Sequence, residues 1–229
     1  METQSQAQSY QSISEQTALA VKELLQAKPN CCLGLPSGHT PLLTYKILST
    51  WSQEGKIDWR QARCFALDDY LETEARHTFQ AFLEENLYCY TNVAGQHKFN
   101  PSQVDDYDGL IASQGGLDLT ILGIGNNGHV AFNEPGINPQ SWTHCTWLAE
   151  STRIANEGTF GGLDKTPRRG ITMGLKTILA SKQIILLASG EKKKVIVERA
   201  FSGTVTNQVP ASLLQAHEAL KVWTDFSWN

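Results

Sequence analysis

His129 and Glu134 stand close together within residues 122–136, LGIGNNGHVAFNEPG. Val130, Ala131 and Phe132 separate them from each other together with Asn133, and such a short apolar stretch can plug into a core. The polar groups on either side then face a common space. A histidine beside a carboxylate is held in one tautomer and its protonated form is favoured. That equips it for general acid–base work. Asp68 and Asp69 are adjacent carboxylates at the end of an apolar run. Partial burial there raises a carboxyl pKa and makes a useful base, although turn capping uses the same residue type. Ser37, Gly38, His39 and Thr40 lie between an apolar run and Pro41. Free N–H groups at a helix start, with hydroxyls beside them, form an anion cradle; an ordinary helix cap fits the same residues. Lys193 offers a cation to a phosphate, against the usual reading of Lys192–Lys194 as a solvated helix face. Arg168 and Arg169 precede an extended run, and one of them suits bidentate phosphate pairing.

The same motif carries a misleading signal. Gly123, Gly125 and Gly128 spell the G-x-G-x-x-G of a dinucleotide site. That site needs its third glycine to open a helix, whose N-terminus holds the pyrophosphate. Here Asn133, Pro135, Gly136 and Pro139 follow at once, leaving room for barely one turn. The glycines are therefore expected to form a tight strand-to-loop turn.

The positioning elements are legible around these residues. Ser12 to Glu15 reads as a capping box opening a helix that ends at Pro29. Residues 31–35, 62–67, 117–124, 183–188 and 220–224 read as strands. Residues 41–53, 78–90, 174–180 and 191–201 read as helices, with Pro41 well placed at a first helical position. Strands alternating with helices predict an α/β fold with a mostly parallel sheet covered on both faces. Ligands of such sheets sit beyond the C-terminal strand ends. The four polar loops carrying the candidate residues all follow predicted strands, so they are expected to build one site. Residues 137–168 show no clean period and read as a lid. Residues 1–11 read as a flexible start to a single domain spanning 1–229.

Composition bounds the rest. The chain has 229 residues, 41% hydrophobic and 18% charged, which suits one globular domain with a full core. A net charge of −4 offers no general attraction for nucleic acid. No apolar run reaches the roughly 18 residues of a membrane span, and the polar N-terminus has no secretory h-region. Five cysteines without C-x-x-C spacing suggest neither a disulfide framework nor a metal site. The expectation is a cytoplasmic protein.

Taken together, the loops resemble the glucosamine-6-phosphate deaminase family. The matching pieces are LGLPSGHTPLLTYK (33–46), FALDDY (65–70), LGIGNNGHVAFNEPG (122–136), RGITMGLKTIL (169–179) and LLASGEKKK (186–194). The detail of residues 114–129 and 168–179 looks most like the galactosamine-6-phosphate branch. The Asn-Glu-Pro after the histidine separates these deaminases from their relative, 6-phosphogluconolactonase. A non-catalytic sugar-phosphate sensor on the same fold is the remaining alternative.

The resemblance implies a modified Rossmann-like fold. It further implies conversion of an aminosugar 6-phosphate and water to a ketose 6-phosphate and ammonia, without organic cofactor or catalytic metal. Carried over by position, His129 opens the sugar ring, Glu134 orients it, and Asp68 takes the C2 proton. Ser37, Gly38, His39, Thr40 and Lys193 correspond to the phosphate site, with Asp69 and Gly125 counted among the substrate-binding residues. Asn127 stands where many members have an aspartate that helps orient the histidine. Gly158 stands where the glucosamine branch has a phosphate-binding arginine, and Arg169 is the expected replacement. The choice of C4 epimer is not legible, and monomer and homo-oligomer fit equally.

Overall fold

The computed structural model describes residues 2–3 and 8–228. The helices are α1 (Tyr10–Ala27), α2 (Leu42–Gln53), α3 (Phe79–Asn86), α4 (Tyr107–Ser113), α5 (Glu150–Phe160), α6 (Leu175–Leu179) and α7 (Lys194–Phe201). The strands are β1 (Glu2–Thr3), β2 (Cys32–Leu35), β3 (Arg63–Ala66), β4 (Asp68–Tyr70), β5 (Lys98–Phe99), β6 (Leu119–Leu122), β7 (His144–Trp147), β8 (Arg169–Thr172), β9 (Ile184–Ala188) and β10 (Leu220–Thr224).

Seven strands form a parallel sheet in the order β1-β10-β9-β6-β2-β3-β5. Its central strands are buried along their length, as the continuous apolar runs require of a sheet covered on both faces. Side chains alternate between two cores: Ile184, Leu186 and Ala188 enter one, Ile185 and Leu187 the other. The latter core is closed by α1 and α2, which contribute Ile13, Ala18, Val21, Leu25, Tyr45 and Leu48. Asp118 ties the opposite, N-terminal end of the sheet together, accepting from Lys28 Nζ, Lys182 Nζ and the Cys32 N–H.

From β2 the chain builds outward to β3 and β5, then returns to β2's other side to lay down β6, β9 and β10. The order therefore reverses between β2 and β6. Loops leaving these two strands in opposite directions open a crevice at their C-terminal ends. That crevice is where the cavity lies.

A second sheet, β4-β8-β7, is antiparallel. The chain leaves the main sheet at Leu67, whose N–H still bonds Leu35 O, and joins the small sheet at Asp68. Asp68 thus sits at the seam between the two sheets.

Several expectations are adjusted. Helix α1 starts at Tyr10, two residues before Ser12, because the Ser9 hydroxyl accepts the Ser12 N–H and caps it there. Glu2–Thr3 pair with β10, so that part of the segment expected to be flexible is strand; residues 1 and 4–7 lie outside the described residues. The segment 137–168, expected to lack regular structure, contains β7 and α5. The 78–90 and 191–201 helices each divide into an α-helix and a 3-10 turn.

Candidate active site

A cavity of about 350 Å³ opens at the switch between β2 and β6. It is lined by residues 36–40 after β2, by Leu67 and Asp68, and by Gly123–Asn127 and His129 after β6. Ser189 and Lys193 after β9 and one face of α5 complete it. All four loops expected to converge do so, and the volume is that of a small-molecule site.

The glycine turn does not start a helix. Gly128 adopts φ +89°, its N–H bonds Gly125 O, and the Gly125 N–H bonds His129 O. This folds the turn back on itself and lays the His129 ring against Gly125, where a Cβ would collide with the ring. Val130 then plugs into the core with no exposure, Ala131 turns with φ +49°, and Asn133 is buried. The Asn133 amide donates to Val130 O and Met173 O, pinning the turn to the strand that carries Thr172.

Folded this way, Glu134 returns to His129: Nδ1 lies 3.4 Å from Glu134 Oε2. Asn127 Nδ2 donates to the same oxygen at 2.8 Å, and the Ala149 N–H donates to Oε1 at 3.2 Å. Burial pushes the Glu134 carboxyl up, but hydrogen bonding and charge from His129, then Thr152 and Asn127, outweigh it. Glu134 is held below the usual carboxylate range. It stands as a carboxylate beside Nδ1 of His129, whose ring also lines the cavity.

Asp68 lies on the cavity wall, only 6% exposed, and its carboxyl has no hydrogen-bond partner among the described residues. Burial, and then the neighbouring Asp69 charge, push it well above the ordinary value. A desolvated carboxylate of this kind is a strong base once it loses its proton.

At the other end of the cavity, Gly38 adopts φ +96° and the 37–40 loop runs into α2. The Tyr10 hydroxyl bonds the His39 and Thr40 carbonyls and holds the loop from behind. Lys193 is half-buried, donates to Ile124 O at 2.7 Å, and burial lowers its pKa. Its ammonium is the only Lys or Arg charge on the cavity wall among the described residues.

Two expected site residues stand elsewhere. Asp69 is 1% exposed and spends its oxygens on the N–H groups of Tyr70, Phe79 and Gln80 and on Asn100 Nδ2. It caps the start of α3 and is absent from the cavity wall. Strand alternation turns only one of two adjacent carboxylates into the crevice. Arg169 is also off the wall. Asp68 pairs with Thr172, so Arg169 lies three residues, or about 10 Å, farther along β8. There it meets Glu72 at 3.1 Å and stacks over Trp147. Gly158 likewise does not line the cavity.

Sequence reasoning missed the contribution of α5. Ser151, Thr152, Ala155 and Asn156 all line the cavity from one helix face. Their spacing was the available signal, within a segment whose helix has a Gly and three β-branched residues among its eleven. No group of three or more His, Cys, Asp or Glu among the described residues could hold a metal ion. No helix there is long and apolar enough to cross a membrane.

Comparison with known proteins agrees with this geometry. The family described as glucosamine-6-phosphate isomerases/6-phosphogluconolactonase matches residues 4–223. Glucosamine-6-phosphate deaminase of Lachnoclostridium phytofermentans is 40% identical over 226 residues, covering 94% of this chain and 96% of the relative. Glucosamine-6-phosphate deaminase 2 of Bacillus subtilis is 40% identical over 233 residues, covering 96% and 93%. The solved structure of a monomeric glucosamine-6-phosphate deaminase superimposes with a TM-score of 0.92 at 32% identity, covering 98% of this chain and 97% of that one. The 6-phosphogluconolactonase of Trypanosoma brucei shares the fold, with a TM-score of 0.73 at 19% identity over 97% and 95% of the two chains.

Proposed function

The chain belongs to the glucosamine-6-phosphate isomerase/6-phosphogluconolactonase family, and from that premise we propose that it is an aminosugar-6-phosphate deaminase. It converts a 2-amino-2-deoxyhexose 6-phosphate and water into a ketohexose 6-phosphate and ammonia. The names of the relatives favour glucosamine 6-phosphate as substrate. The motif detail of residues 114–129 keeps galactosamine 6-phosphate as the second sugar to test.

One observation carries the reading. An unpartnered buried carboxyl, Asp68, faces the same cavity as a histidine already paired with a carboxylate. Lactone hydrolysis needs no base at C2, whereas aldose–ketose isomerisation does. A closed pyranose hides its aldehyde, so His129 Nε2 moves a proton between O1 and the ring oxygen to open it. With C1 an aldehyde, the C2 proton is acidic and Asp68 removes it while the substrate's C2 ammonium gives a proton to O1, relayed by His129 Nε2. The electron pair of the resulting C1=C2 enolamine then collects a proton at C1 from Asp68. The product is a C2 iminium with a C1 hydroxyl. Water adds to C2, the C2–N bond breaks, and ammonia leaves behind the ketone. Residues 37–40 and Lys193 hold the phosphate, keeping the open chain in reactive pose.

The full chain is proposed to work as one unit in the cytoplasm, in aminosugar catabolism, with a small sugar phosphate as its partner and no role for nucleic acid or membrane. The test is release of ammonia and ketose 6-phosphate from both aminosugar 6-phosphates, with H129Q and D68N as controls. Absence of ammonia from both sugars would end this reading.

A further inference from the structure

The direct contact between His129 Nδ1 and Glu134 is slack. At 3.4 Å it exceeds the 2.7–2.9 Å typical of a charge-assisted bond. A second group completes it. Thr152, on the first turn of α5, is 3% exposed and places Oγ1 3.2 Å from the same Nδ1. Its hydroxyl also contributes to holding Glu134 below the usual carboxylate range. The hydroxyl oxygen is placed to accept from Nδ1–H.

The surroundings fix Thr152 in place from two sides. The N–H of Ala149, which caps α5, donates to Glu134 Oε1, and Asn127 Nδ2 reaches Ser151 Oγ at 3.3 Å. The N-terminus of α5 is therefore bonded to all three polar members of the catalytic turn. The Asn156 amide donates to Thr152 O and closes the helix turn behind it.

We propose that Thr152 is a positioning residue for His129, its Oγ1 accepting from Nδ1–H so that the neutral ring keeps its proton on Nδ1 and offers an unprotonated Nε2 to the sugar. Without that acceptor the ring samples both tautomers, and in the wrong one Nε2 cannot accept the O1 proton. The groups facing this ring from the packed elements are Glu134 and Asn127 of its own loop and Ser151 and Thr152 of α5. Asp68 and Lys193 are the charged groups sharing its cavity.

The inference rests on the proposed deaminase reading, and its test separates the two. Wild-type ammonia release is measured first; failure there counts against the reading, while the ring-nitrogen NMR shifts of His129 still report on Thr152. T152V keeps the shape and removes the hydroxyl; T152S keeps the hydroxyl. T152V is expected to lose about tenfold in kcat, with KM changed by less than about twofold, because Thr152 touches the histidine and not the phosphate. The acid limb of its pH profile moves upward, since Glu134 loses a donor to its charged form. T152S restores both. In the NMR spectrum of the resting protein, wild type and T152S show an Nδ1-protonated ring and T152V a mixture, with H129Q assigning the signal. A T152V protein with wild-type pH profile and a single Nδ1-protonated tautomer would overturn the proposal. So would equal loss of kcat in T152V and T152S.

Discussion

Asn127 donates its side-chain amide to Glu134 at 2.8 Å, while its carbonyl oxygen accepts the His129 N–H at 3.1 Å. The residue is a donor to the carboxylate as well as a support for the turn. An aspartate keeps the second function and reverses the first, setting two carboxylates against each other. N127D should raise the Glu134 pKa. The expected outcome is an acid-side fall in kcat/KM that sets in at higher pH than in wild type, with little change near pH 8. A pH–rate profile of kcat/KM reads this directly.

Gly125 is where the backbone makes way for the His129 ring. A Cβ there would occupy the space of the His129 imidazole. G125A should remain folded by circular dichroism, because the position is a loop, yet lose about 100-fold or more in kcat as the ring is displaced.

Asp68 and Asp69 should separate function from stability. Asp68 has a raised pKa in the folded state. The unfolded chain ionises first as pH climbs, so the folded protein loses stability above the ordinary carboxyl range until its own Asp68 pKa is passed. D68N escapes that loss. Its melting temperature should match wild type near pH 4 and exceed it increasingly toward pH 7, while kcat falls about 10²- to 10⁴-fold. Asp69 is also raised by burial, but it accepts four hydrogen bonds. D69A should therefore cost about 2–4 kcal/mol in denaturant unfolding.

The phosphate end gives a contrast between two cations. Lys193 lines the cavity and Arg169 does not. Loss of a charged hydrogen bond to phosphate should raise KM about 10- to 100-fold in K193A. R169A should leave KM within about twofold of wild type. Steady-state kinetics on the two variants suffices.

The sequence carried the parallel sheet because its central strands are apolar runs such as Ile184–Ala188, bounded by the polar Lys182-Gln183 and Ser189-Gly190. It carried His129, Glu134 and the 37–40 loop because their segments follow such runs. The small sheet was less legible. His144–Trp147 mixes polar and aromatic residues on an edge strand, and α4, with Gly109 inside seven residues, has little intrinsic helix preference. Asp68 and Asp69 could be told apart only once β4 paired with β8, since alternation sends one carboxylate inward and the other to α3. The same register places Arg169 off the cavity wall. Thr152 was hidden because its role depends on a fold-back of α5 over the catalytic turn, a contact between residues 23 positions apart.

The most direct measurement is to assay ammonia and ketose 6-phosphate in the same reaction, from glucosamine 6-phosphate and from galactosamine 6-phosphate, for wild type, H129Q and D68N. The expected result is both products in equal amounts from at least one sugar with wild type, and a collapse of both in D68N and H129Q. Turnover that survives in D68N, or ketose formed without ammonia, would contradict the assignment of Asp68 as the C2 base of a deaminase.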